Sequence, residues 1–217
     1  MKARRPRPCA EHVSEASTQR LSLLLRSLRV LQAQGVRTVS SAELAERFGM
    51  HAAQIRKDLA HLGEFGVRGL GYHVADLRAR LSSILGLDRT HTVVIVGAGR
   101  LGLALADSWA LNGGSFRVAA LFDVDDARVG ERSRTGVPIL AASSLAESVS
   151  RLAAEIGVLA VPPEAAAEAA RELDRGGVRG ILNFAPQAVG ELPHARVKDV
   201  DMALCLETLA IRLPLDA

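Results

Sequence analysis

Six consecutive residues carry the most chemistry: Gly97, Ala98, Gly99, Arg100, Leu101 and Gly102 spell G-x-G-x-x-G directly after the apolar run Thr92–Val96. Between a strand and a helix, each glycine has its own duty. Gly97 allows a tight turn, Gly99 lets a pyrophosphate approach bare backbone, and Gly102 permits close helix–strand packing. The helix that opens there offers N–H groups and a partial positive charge to the same phosphates. Asp123 follows Gly97 by 26 residues, at the end of the next apolar run. A carboxylate there accepts hydrogen bonds from adenosine ribose hydroxyls and repels a 2′-phosphate, which selects NAD+ and NADH over NADP+ and NADPH. Val161 and Pro162, closing the run GVLAVP, are assigned to the same cofactor-binding set. Asp125 and Asp126 read as solvated turn residues.

A second group lies in AAQIRKDLAHLG, where Ile55, Leu59 and Leu62 share one helical face and Gln54, Arg56 and Lys57 fall largely off it. The preceding SAELAERFG starts with the S-x-x-E spacing of a capping box at Ser40 and Glu43 and stops at Gly49. Two short helices around such a turn form a helix-turn-helix, whose second helix suits the DNA major groove. Next, FGVRGLGYHV reads as a small hairpin wing. Its Arg68, Gly69, Gly71 and Tyr72 are assigned to DNA, with the arginine suited to a narrow minor groove.

The elements that must position these groups are legible along the chain. Leu21, Leu24, Leu25, Leu28 and Leu31 form a helical stripe within residues 18–34, and ADLRARLSSILG is a fourth amphipathic helix. From residue 91, apolar strands alternate with helices, the signature of a parallel sheet. Residues 1–88 carry 14 Lys and Arg against 8 Asp and Glu, while residues 89–217 carry 13 against 16, so the basic half is the one with the helix-turn-helix. The expected organisation is a disordered tail over 1–17, a winged helix-turn-helix over 18–88, a Rossmann-type domain over 89–200 and a C-terminal helix over 201–217. The fold class is therefore α/β.

No apolar run is long enough for a bilayer and the N-terminus lacks a signal-peptide core, which predicts a cytoplasmic protein without membrane contact. Cys9 and Cys205 have no metal-type or disulfide-type spacing; Cys205, in an apolar run, reads as a core residue. A dehydrogenase also needs a substrate region and a proton donor. Residues 89–217 hold one lysine, Lys198, no tyrosine, and two histidines, His91 and His194, which read as surface residues. The dinucleotide is thus expected to be sensed and not consumed. A small NAD-dependent oxidoreductase with a fused winged helix, or an oligomerisation module, are the alternatives.

From about Thr18 to Leu213 the chain resembles the Rex family of bacterial redox-sensing repressors. The likeness is carried by QIRKDLAHLGEFGVRGLGYHV, VVIVGAGRLGLALAD, and GILNFAP with VKDVDMALCLETLAIRL. It implies a homodimer that binds inverted-repeat, double-stranded operator DNA when NAD+ predominates and releases it when NADH binds. It implies that MALCLETLAIRL is a dimerisation helix exchanged between subunits, and that Arg29 and Asp201 take part in the switch. The chain departs from the family pattern at Ser108, where some members have a tyrosine, and at Met202, where some have phenylalanine.

Overall fold

The computed structural model describes residues 14–60, 62, 66, 71–108, 114–211 and 213. The chain divides into two compact units, residues 1–89 and 90–217.

In the first unit, α1 (Glu15–Ala33) is capped by Ser14, whose side chain accepts from the Ser17 N–H. It thus starts three residues before the expected Thr18, because Ser14 satisfies the first turn. Then come β1 (Thr38–Val39), α2 (Ser41–Phe48), α3 (Ala52–Ala60), β2 (Tyr72–His73) and α4 (Val74–Ile84). The Ser40–Glu43 capping box is formed in both directions, and Gly49 closes α2 at φ 64°. The leucine stripe of α1 is buried with Leu44, Ile55, Leu59, Leu77 and Leu81. A bidentate pair fastens α1 to α3, with Arg20 Nε 2.7 Å from Asp58 Oδ2 and Nη2 2.9 Å from Asp58 Oδ1. Strand β2 pairs antiparallel with β1, Thr38 opposite His73 and Val39 opposite Tyr72. The end of the predicted wing therefore finds its partner upstream of the helix-turn-helix. Most of the remainder of that segment lies outside the described residues, as do the first thirteen positions assigned to a tail.

The second unit runs β3 (His91–Val96), α5 (Arg100–Ala106), β4 (Phe116–Asp123), β5 (Ile139–Ala141), α6 (Leu145–Arg151), β6 (Ile156–Leu159), α7 (Pro163–Arg175), β7 (Gly180–Asn183), β8 (Arg196–Asp199) and α8 (Met202–Ala210). The six strands form one parallel sheet in the order β5-β4-β3-β6-β7-β8. Both faces are covered: Val94, Val96 and Phe122 belong to one buried cluster and Val93, Ile95 and Leu121 to another. That is why these strands read as unbroken apolar runs.

Helix α8 is different. It is apolar in composition, yet every residue from Met202 to Ala210 is exposed within this chain. Cys205, expected in a core, is exposed there too, because no described residue of the chain buries the helix. Among the described residues, no helix is long and apolar enough to cross a membrane.

Candidate functional site

The strand order reverses around β3, with β4 and β5 on one side and β6 to β8 on the other. A crevice opens at the carboxyl ends of strands at such a switch point. Here it is a cleft of about 310 Å³ whose lining includes Gly97, Gly99, Asp123, Val161 and Pro162. The three glycines have three geometries. Gly97 is at φ +100°, and a Cβ there would stand 2.3 Å from the Ala160 carbonyl oxygen. A Cβ on Gly102 would stand 1.8 Å from the Gly97 carbonyl oxygen, so α5 can start against the turn only without a side chain. Gly99 caps α5 in an extended conformation, and its Cβ would meet nothing within 4 Å. The open space beside Gly99 is where a ligand can reach the backbone. Arg100 and Leu101 are exposed on α5 and, with Gly102, do not line the cleft.

Ala98 and Asp123 are locked together. The Ala98 N–H donates to Asp123 Oδ2 at 2.7 Å, and the Asp125 N–H donates to Oδ1 at 3.0 Å. The carboxylate thus shapes the loop, and each oxygen keeps acceptor capacity for a ribose hydroxyl. Backbone access at Gly99, a carboxylate at the β4 end and the apolar Val161 and Pro162 fit an adenine dinucleotide. Two further charged residues line this cleft, Asp125 and Arg128. Asp125, read from sequence as a solvated turn residue, faces Arg128 Nε at 3.2 Å, and Arg128 Nη1 donates to the Ala98 carbonyl. The only hint in the sequence was their i, i+3 spacing, because turns carry no periodicity.

Elsewhere in the second unit, polar side chains fix loops and helix ends. Asn183, fully buried at the end of β7, donates from Nδ2 to Asp199 Oδ1 at 2.8 Å and to the Gln187 carbonyl at 2.9 Å; its Oδ1 accepts from the Ala185 N–H at 3.0 Å. Asp201 caps α8, accepting from the Leu204 N–H at 2.9 Å. Arg29, its predicted switch partner, is exposed on α1 in the other unit. Asp107, next to Ser108, accepts from Ser133 Oγ at 2.7 Å and from the Thr135 N–H and Oγ1 at 2.9 and 2.8 Å. Burial pushes its carboxyl up, but the Ser133 and Thr135 bonds with the Arg134 N–H outweigh that and bring it down to about 2. Of the two histidines read as surface residues, His194 is exposed. His91 is half-buried, its Nδ1 3.3 Å from Glu155 Oε2, at the strand ends opposite the cleft.

In the first unit, Arg56 and Lys57 are exposed on α3, and Arg56 Nη1 donates to Ser41 Oγ at 2.9 Å. Gln54 is half-buried and turned inward, its Nε2 donating to Asp58 Oδ1 at 2.8 Å. Gly71 is at φ +89°, and a Cβ would stand 2.6 Å from the Val39 carbonyl oxygen, so it serves the β1–β2 pairing. Burial pushes the Tyr72 hydroxyl up, a shift partly offset by the charge of Arg56. Arg68 and Gly69 lie outside the described residues.

A helix-turn-helix unit and a Rossmann unit with an open dinucleotide-type cleft on one chain define a regulator of DNA that reads a nucleotide. A family model described as "Putative DNA-binding protein N-terminus" matches residues 12–60, and one described as "CoA binding domain" matches residues 88–187. The chain is 39% identical to the redox-sensing transcriptional repressor Rex of Pelotomaculum thermopropionicum, over 93% of this chain and 94% of the relative. It is 40% identical to that of Streptomyces coelicolor, over 96% of this chain and 81% of the relative. Among solved structures it is similar to RSP in complex with NAD+ and operator DNA, with a TM-score of 0.87, 34% identity and 92% of each chain covered. It is also similar to RSP in complex with NADH, at 0.81 and 32%, over 93% of this chain and 94% of that one. The chain belongs to the Rex family of redox-sensing transcriptional repressors. It is a regulator and not an enzyme.

Proposed function

We propose that this chain acts in the cytoplasm as a homodimer that binds inverted-repeat operator DNA and lets go when NADH replaces NAD+ in the Rossmann cleft. The observation that carries the reading is the open backbone at Gly99 beside the Asp123 carboxylate, on the same chain as a helix presenting Arg56 and Lys57. The complexes of RSP with NAD+ and operator DNA, and with NADH, support it.

In this reading Gly97, Ala98 and Gly99 with the start of α5 hold the pyrophosphate, and Asp123 takes the ribose hydroxyls. Arg56 and Lys57 meet phosphates and base edges in the major groove, while Arg68, Gly69, Gly71 and Tyr72 belong to the minor-groove wing. Gln54 reads a base only on exchanging its bond to Asp58. The exposed apolar α8 is covered by a second copy of the chain, and Asp201 and Arg29 form the switch. Residues 18–88, 89–200 and 201–217 are then the DNA-binding, nucleotide-binding and dimerisation segments.

The ligand can switch the protein only through differential affinity for its two arrangements. A neutral dihydronicotinamide enters an apolar site at lower desolvation cost than the cationic ring of NAD+. A hundredfold preference needs about 2.7 kcal/mol. The test is an electrophoretic shift on an inverted-repeat duplex, with NADH and NAD+ titrated in turn. The expected result is loss of the shifted band with NADH alone; a band insensitive to both nucleotides contradicts the reading. Arg56→Ala and Lys57→Ala are each expected to weaken the complex and flatten its salt dependence by about one counterion.

A further inference from the structure

The cleft carries a charge arrangement that the glycine fingerprint does not contain. Among the described residues lining it, the charged ones are Asp123, Asp125 and Arg128. Arg128 reaches from the turn after β4 to the glycine loop and donates through Nη1 to the Ala98 carbonyl. On its other side Nε stands 3.2 Å from Asp125 Oδ2. Asp125 is fixed in turn, since its Oδ1 accepts from the Ala127 N–H at 3.0 Å and its own N–H donates to Asp123 at 3.0 Å. A guanidinium beside a ribose site is otherwise well suited to a phosphate, because its planar fork of donors matches phosphate oxygens. Here that fork is already held by a carbonyl and a carboxylate.

We propose that Asp125 and Arg128 form a second discriminator against a 2′-phosphorylated dinucleotide: Asp125 holds the guanidinium on the Ala98 carbonyl and keeps the net charge of the cleft rim negative. The assignment rests on the dinucleotide reading of the cleft. Without Asp125, Arg128 would cancel Asp123 and be free to pair with a phosphate on the adenosine ribose. With Asp125, the rim of two carboxylates and one guanidinium opposes that phosphate. The side chains of Arg128 and Asp125 are 41% and 51% exposed, so solvent limits the size of the effect.

The experiment is calorimetric titration of the parent chain and Asp125→Asn with NADH and with NADPH. Asparagine keeps an acceptor for the Ala127 N–H and removes the charge. The variant is expected to bind NADPH about five- to tenfold more tightly than the parent does, with NADH changed by less than about twofold. The gain should shrink in high salt and vanish on adding Arg128→Gln. Asp125→Ser, a second removal of the charge at this exposed turn, should move the ratio in the same direction. An unchanged NADPH to NADH ratio in folded variants that still bind NADH overturns the role of the pair alone. A parent chain that binds neither nucleotide overturns the dinucleotide reading and the discriminator with it.

Discussion

Gly99 and Gly102 stand in one motif and fail in opposite ways. Gly102 has the Gly97 carbonyl where a Cβ would go, so Gly102→Ala is expected to destabilise the second unit by about 3 kcal/mol, read from the denaturant midpoint. Gly99 has open space and an extended backbone, so Gly99→Val should leave that midpoint nearly unchanged while weakening NADH by more than about tenfold. Retained NADH affinity in Gly99→Val would place the pyrophosphate elsewhere. Asp107 allows a pH argument. Its carboxyl is depressed from 3.8 to about 2, so it contributes stability above the unfolded value and loses it as pH falls through the folded one. That contribution is about 2 kcal/mol at neutral pH. Asp107→Asn should therefore melt earlier than the parent at neutral pH and show a smaller loss between about pH 4 and pH 2. The fingerprint glycines and Asp123 were legible because their duties are tied to a strand–turn–helix frame. Asp125 and Arg128 were not, since their contact with the loop is made across a turn that has no pattern of its own.

At the scale of elements, the amphipathic helices and buried parallel strands were readable because their apolar periods and runs reflect one-sided or two-sided burial. The strands β1 and β5 were missed, being two and three residues long, too short for a period. For the same reason the pairing of the wing's last strand with Thr38 and Val39 could not be read from the sequence. Asn183 could not be recognised from sequence, because its importance lies in three partners brought together by β7, β8 and the intervening loop. Asn183→Ala removes three hydrogen bonds, leaves the buried Ala185 N–H without its acceptor and is expected to cost about 2 kcal/mol, checked by chemical denaturation. Burial of α8 was expected from its composition, but among the described residues of this chain nothing covers it. Leu206 is 67% exposed, so for the proposed dimer Leu206→Glu should leave the fold of the chain intact and shift sedimentation toward monomer. A variant that sediments as the parent does would put the dimer contact on another element.

For the whole molecule, switching requires that the nucleotide cleft of one unit and the reading helix of the other bias the same equilibrium. Such coupling is reciprocal: whatever factor NADH takes from operator affinity, operator must take from NADH affinity. A shift from bound to released over the physiological range needs a large differential, on the order of 5 kcal/mol for a nearly complete switch. The most direct measurement is therefore the NADH dissociation constant of the protein, determined with and without a saturating inverted-repeat duplex. Much weaker NADH binding is expected on the duplex, by the same factor that NADH imposes on operator affinity, while NAD+ shows little change. Equal NADH affinity for the free and the DNA-bound protein would contradict it.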